Sequence, residues 1–179
     1  MKKNFLCLTI ASSLVFATSF SGMVQPSSAA YPPSCGAALS ATDKSTARDK
    51  LRTNLGAHTY PKELSPQAHH LIPLDLFTTA EGIKICNYGI NLLDSSDNGV
   101  WLPNRNCSNK PNYPYLHRGS HPVYTTYVQG RLGVINSKAQ ALQLLAEIKK
   151  TLTTGVKVDA NFPASLNNAE PDLGKVSCS

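Results

Sequence analysis

No two cysteines of the chain stand in a Cys-x-x-Cys pair, and no His-Glu-x-x-His occurs in it. The first absence argues against a four-thiolate zinc site and the second against a zincin peptidase. Internal repeats and low-complexity tracts are missing too, which excludes solenoids and fibrous arrays. At 179 residues the chain is bounded to one domain, or one domain with extensions. The apolar run from Phe5 to Phe20 falls short of the ~20 residues that span a bilayer. It follows Met1-Lys2-Lys3 and precedes Pro26-Ser27-Ser28-Ala29-Ala30. A charged start, an apolar middle and small residues before a cut near Ala30 predict a secretory signal peptide over 1–30. Residues 31–179 are then one secreted or periplasmic domain, with no membrane association in the mature form.

Acidic residues are the scarcer charges. Without Lys2 and Lys3 the cations fall from 17 to 15 against 11 acids, a formal charge of +4. That excess favours a polyanionic partner without demanding one. Removal of the leader also takes Cys7 and leaves Cys35, Cys86, Cys107 and Cys178, an even count in an oxidising compartment, so two disulfides are expected. Three pairings are open. The preferred one joins Cys86 with Cys107, closing a local loop, and Cys35 with Cys178, tying the chain ends together.

Helical periodicity is clear in three places. Ala47, Leu51 and Leu55 recur every four residues behind a capping sequence at Ser40 to Asp43, and Gly56 can end the helix, which reads as a packing element. A stripe of Ala141, Leu144, Leu145, Ile148 and Leu152 predicts a helix from about Lys138 to Thr153, with Ser137 and Gln140 as its capping box and Gly155 as its stop. Pro122 can open a third, carrying Tyr124, Tyr127, Val128 and Leu132 and ending near Gly133, which places His121 just ahead of a helix. Ala68 to Phe77 and Val100 to Leu102 read as extended, and Gly82 to Asn98 as the turn-rich connection between them. Pro103 to Pro114 reads as loop, and the tail from Val156 has no firm period.

Four of the five histidines fall into two tight groups, His69-His70 and His117 with His121. Imidazole both holds borderline transition metals and moves protons near neutral pH, and one ring cannot do both at once. On an extended segment His69 and His70 point to opposite sides, so adjacent rings can divide the work. Ala68-His69-His70-Leu71-Ile72-Pro73, then Asp97-Asn98 ahead of Gly99-Val100-Trp101-Leu102, then His117-Arg118-Gly119-Ser120-His121 resemble, in order and spacing, the AHH family of the HNH endonuclease superfamily. The layout is also similar to that of the DNase colicins. The motifs span about 68–132, less than half of the expected mature chain.

The resemblance implies an α+β fold in which a small ββα-metal finger sits among helices, stabilised here by disulfides. It implies one divalent metal ion, Mg, Mn, Ni or Zn, held by His69, His117 and His121, and His70 as the general base that takes a proton from water. Asn98 would hold the finger and orient His70 by a hydrogen bond, with Asn91 the alternative. Trp101 and Leu102 would pack beneath the site. Gly119 and Pro122 argue against a shared helical face for His117 and His121, so their convergence rests on a turn, and His121 is the firmer ligand of the two.

The residue chemistry agrees: phosphodiester hydrolysis needs an activated water and neutralisation of charge on the phosphate, which a neutral His and one metal ion supply. Arg118 is the first candidate for phosphate contact, with Arg105 next and Lys110 and Arg131 behind. Asp75 and Asp94 read as solvated turn residues and His58 as a surface histidine. The expected activity is non-specific DNA hydrolysis by a secreted endonuclease, with nucleic acid, DNA preferred, as partner. The likeness to toxins allows an immunity protein as a second partner, though nothing in the chain identifies one. Two other classes compete: a secreted module whose histidines hold zinc for structure or surface binding without catalysis, and a metal-dependent hydrolase of another ester.

Overall fold

A computed structural model describes residues 32–157, 159–166 and 174–179; the expected signal peptide over 1–30 lies outside the described residues. The architecture is α+β: four helices, α1 (Ala41–Leu55), α2 (Ala80–Asn87), α3 (Pro122–Gly133) and α4 (Lys138–Thr154), with two small sheets. Strands β1 (Gln67–His70) and β2 (Gly99–Leu102) pair antiparallel, with His69 opposite Val100 and His70 opposite Gly99. Strands β3 (Asn106–Cys107) and β4 (Lys175–Val176) pair parallel.

The helices start where their caps predict. Ser40 Oγ accepts from the Asp43 N–H, and the Asp43 carboxylate accepts in return from the Ser40 N–H. Ala47 and Leu51 turn the buried side of α1 onto the β1–β2 hairpin. Gly99 lets it approach, because a Cβ there would meet the methyl groups of Leu51 and Leu55. In α4, Ser137 caps the Gln140 N–H as expected, while the Gln140 side chain reaches back one residue further, to the Asn136 N–H. The expected stripe of α4 is buried with Tyr124, Val128 and Leu132 of α3 in one core, which also takes Leu71, Ile72, Val100 and Leu102. A smaller cluster of Leu64, Cys107 and Cys178 packs with Tyr60 and Tyr113.

Four expectations are corrected. The segment from Ala68 is extended only as far as His70; Pro73 then leads into a 3-10 turn at Leu74–Leu76. The strand stops because the Asn98 side chain takes the Ile72 N–H and C=O that would continue the ladder. The expected connection from Gly82 begins inside α2, which Thr79 caps by accepting from the Gly82 N–H. Gly82 is there for packing, since a Cβ would collide with the Leu76 carbonyl. The loop at 103–114 contains β3, a pairing too short to show as periodicity.

The fourth correction is the disulfide pattern. Cys35 pairs with Cys86 and Cys107 with Cys178, at Cα separations of 6.0 and 5.6 Å, both within bridging range. The preferred pairing puts Cys86 on a turn leading to the second strand. As part of α2 it is carried instead to the segment before α1, where Gly36 abuts Ile83.

Gly82→Ala separates packing from propensity. Alanine is worth about 1 kcal/mol over glycine in a helix interior, yet the collision with the Leu76 carbonyl should make the variant about 1–3 kcal/mol less stable. Urea denaturation checks the sign.

Candidate metal centre and active-site cleft

Among the described residues β1 pairs only with β2, and its other side borders a cleft of about 430 Å³ that both His69 and His70 line. One wall is α1, which contributes Lys44, Arg48 and Arg52; the other is the segment from His117 to His121 with Thr125 of α3. That segment is pinned to the end of β2, because the His117 N–H donates to Pro103 O and Arg118 Nε to Asn104 O, at 2.9 and 3.0 Å. Gly119 turns it in the left-handed region at φ +64°, and Pro122 starts α3, leaving His121 at the cap position. The turn expected from Gly119 and Pro122 is what brings His117 and His121 together.

The three rings of His69, His117 and His121 form a near-equilateral triangle, with centroids 4.9 to 5.1 Å apart. One nitrogen from each lies within 4.8 Å of the other two. His69 Nε2 and His117 Nδ1 are buried and make no hydrogen bond. A buried polar atom left so costs about 1–3 kcal/mol, and two lone pairs converging with a third imidazole are the donor set of a borderline divalent cation. Three ligands also leave coordination positions for substrate. The residues present therefore fit a metal ion, and His117 belongs to the group as fully as His121.

Burial and mutual repulsion favour the neutral form of His69 and His117. Burial pushes His69 well below the ordinary histidine pKa, and the charges that His117 and His121 would carry push it further. His117 falls to about 4, chiefly by burial and then by His121. Neutral imidazole is the ligating form.

His70 faces the other side of β1, as period two requires. Its Nε2 lies 2.7 Å from Leu93 O. A carbonyl only accepts, so that nitrogen carries the proton and Nδ1 keeps a lone pair. Burial lowers the His70 pKa against the opposing pull of the Leu93 carbonyl.

The expected hydrogen bond between Asn98 and His70 is absent among the described residues. Asn98 is completely buried and spends its amide elsewhere: Oδ1 accepts from the Ile72 N–H, while Nδ2 donates to Leu92 O and Ile72 O. It acts on His70 through the loop that presents Leu93. Asn91, the alternative, shapes the same loop, its Oδ1 accepting from the Leu93 N–H at 2.9 Å. Both asparagines therefore shape the loop that carries the carbonyl, and their side-chain hydrogen bonds go to backbone and Asp94 rather than to the ring.

The cations expected to contact phosphate, Arg105, Lys110, Arg118 and Arg131, lie outside the cleft lining. Arg118 is buried, and Arg131 is ion-paired with Asp159 and Glu147 beside α3 and α4. The cations that do line it, Lys44, Arg48 and Arg52, sit four residues apart on a helix read from sequence only for its packing side. That spacing is the signal in the sequence that points to them. Asp75 is on the rim, bonded to Lys44 at 2.8 Å, and Asp94 is held by Asn91; neither joins the histidine triad. Trp101 does not pack beneath the histidines: its indole N–H donates to Gly56 O, and its ring meets exposed His58. Leu102 is in the core.

A family model described as a nuclease family of the HNH/ENDO VII superfamily, with conserved AHH, matches residues 50–154. The chain belongs to this AHH nuclease family. Ala68-His69-His70 supplies the family's motif, and the matched segment runs from the last turns of α1 to the end of α4. No curated protein and no solved structure matches the chain significantly.

The neutral histidines predict a pH effect in metal-free protein. Folding holds rings such as His117 below the value of about 6.5 they have in the unfolded chain, so their share of stability is complete above that pH. It is lost as pH falls through the folded value of about 4. Thermal melts in chelator should show this decline, shallower in His117→Gln. Zn²⁺ at a hundred times its Kd should add about 2.7 kcal/mol at neutral pH.

Proposed function

We propose that the protein is an exported endonuclease that hydrolyses phosphodiester bonds of DNA without sequence preference, using one divalent metal ion and His70 as general base. The observation that carries this reading is the pairing of two differently equipped histidine sites on one strand. His69 joins a triad fit for a cation, and one residue on, His70 borders the same cleft with its tautomer locked by Leu93 and a lone pair left on Nδ1.

In this reading His69, His117 and His121 hold the metal. The bound ion supplies Lewis-acid neutralisation of phosphate charge and of the departing alkoxide. His70 Nδ1 removes the proton from a water placed in the cleft, and the Leu93 carbonyl steadies the imidazolium that results. Leu92, Leu93 and the two asparagines hold the ring in register. Residues 31–179 serve as a single nuclease domain, with export through the segment 1–30. The disulfides fit an oxidising compartment, and no helix of the described residues is long and apolar enough to cross a membrane.

A purely structural zinc site is the weaker reading. Such sites close with four ligands, whereas three histidines form the group found among the described residues and they border an open cleft.

Plasmid cleavage with added Mg²⁺, Mn²⁺, Ni²⁺ or Zn²⁺ tests the activity, and paired variants test the roles. His70→Ala should lose about 100-fold or more of the rate while binding metal in calorimetry like the unaltered protein. His69→Ala and His121→Ala should lose both. Equal loss of metal in all three variants would remove the division of labour, and absence of cleavage with every metal would remove the nuclease reading.

A further inference from the structure

We propose that the face of α1 bearing Lys44, Arg48 and Arg52 is a track for the sugar–phosphate backbone of the nucleic acid, with Arg48 at the phosphate to be cut. The inference rests on the nuclease reading and adds to it the residues that bind substrate.

The three cations stand on successive turns of one helix, a rise of about 6 Å per step, and all three border the cleft that holds His69 and His70. Their row is rigidly placed. Ala47 and Leu51, fully buried against the hairpin, alternate with it along α1, so the helix cannot roll the cations away without emptying its own packing.

Arg48 is distinguished within the row. Lys44 is bonded to Asp75 across the end of the cleft, and Arg52 lies 3.7 Å from Asp49 on the exposed side of the helix. No carboxylate or carbonyl among the described residues holds the Arg48 guanidinium. It lines the same cleft as His70 and as His69, His117 and His121, which places it by the proposed base and the metal group together. An unpaired guanidinium there offers the bidentate geometry that suits a phosphate. The acid at the rim works against the track: Asp75 occupies Lys44 and adds a negative charge beside the path of the backbone.

The test is fluorescence anisotropy of a labelled DNA oligonucleotide in chelator, so that nothing is cut, titrated at several salt concentrations. Arg48→Gln and Arg52→Gln should each weaken binding about tenfold at low salt and lower the slope of log K against log salt by about 0.7–0.9. Asp75→Asn should tighten binding by releasing Lys44. Lys149→Gln, at an exposed cation of α4, should leave it unchanged. Metal affinity of Arg48→Gln, from calorimetry, should equal that of the unaltered protein while its kcat/KM for cleavage falls at least tenfold. Equal weakening by Arg48→Gln and Lys149→Gln, or an unaltered salt slope in Arg48→Gln, would overturn the track. Normal DNA binding along α1 by a protein that cuts no DNA with any metal would uphold the track and overturn the nuclease reading instead.

Discussion

One buried amide organises the site. Asn98 receives the Ile72 N–H on its oxygen and gives its two N–H groups to the carbonyls of Ile72 and Leu92, so a single side chain ends β1, anchors the start of β2 and holds the loop that faces His70. Each of those backbone groups is polar, and burial without a partner would cost about 1–3 kcal/mol apiece. An apolar residue of similar size would leave all three orphaned at once. The depth of Asn98 is therefore what makes it effective: in a low-dielectric interior its hydrogen bonds are strong and cannot be replaced by water.

From that fixed point the two sides of β1 diverge in character. His69 shares its side with the core beneath α3 and α4 and meets Tyr124, whose hydroxyl donates to Leu71 O. His70 shares its side with α1 and the loop at Leu93. A strand of four residues thus separates a cluster of imidazoles from a single one held by the Leu93 carbonyl while both still border the same cleft. The period of two in an extended chain does by geometry what two distant residues would otherwise have to be brought together to do.

Much of this is legible from residue order. The caps at Ser40 and Ser137, the proline opening α3 and the stripes of Leu and Ala mark three helices closely, because each signal is local. The histidine groups stand out for the same reason. What is not legible depends on contacts between distant segments. Gly82 looks like a turn residue until the Leu76 carbonyl is seen against it, and misreading α2 misplaces Cys86 and hence both disulfides. Which side of α1 faces the histidines is decided by Leu51 and Leu55 settling over Gly99, so Arg48 cannot be told from its neighbours by spacing alone. Asn98 is singled out by the right motif and assigned the wrong bond, since hydrogen-bond partners follow the path of the loop at Leu92 and Leu93.

The disulfides run 35 to 86 and 107 to 178, side by side along the chain with neither enclosing the other. The polypeptide is therefore two covalent rings joined by one tether, the stretch between Cys86 and Cys107. The first ring carries α1, His69 and His70; the second carries His117, His121, α3 and α4. The histidine triad is a joint between the rings, and Asn98 lies on the tether itself. A single backbone cut in that tether would yield two disulfide-closed pieces with no covalent link, each holding part of the triad, and only packing and hydrogen bonds between them would keep the cleft assembled.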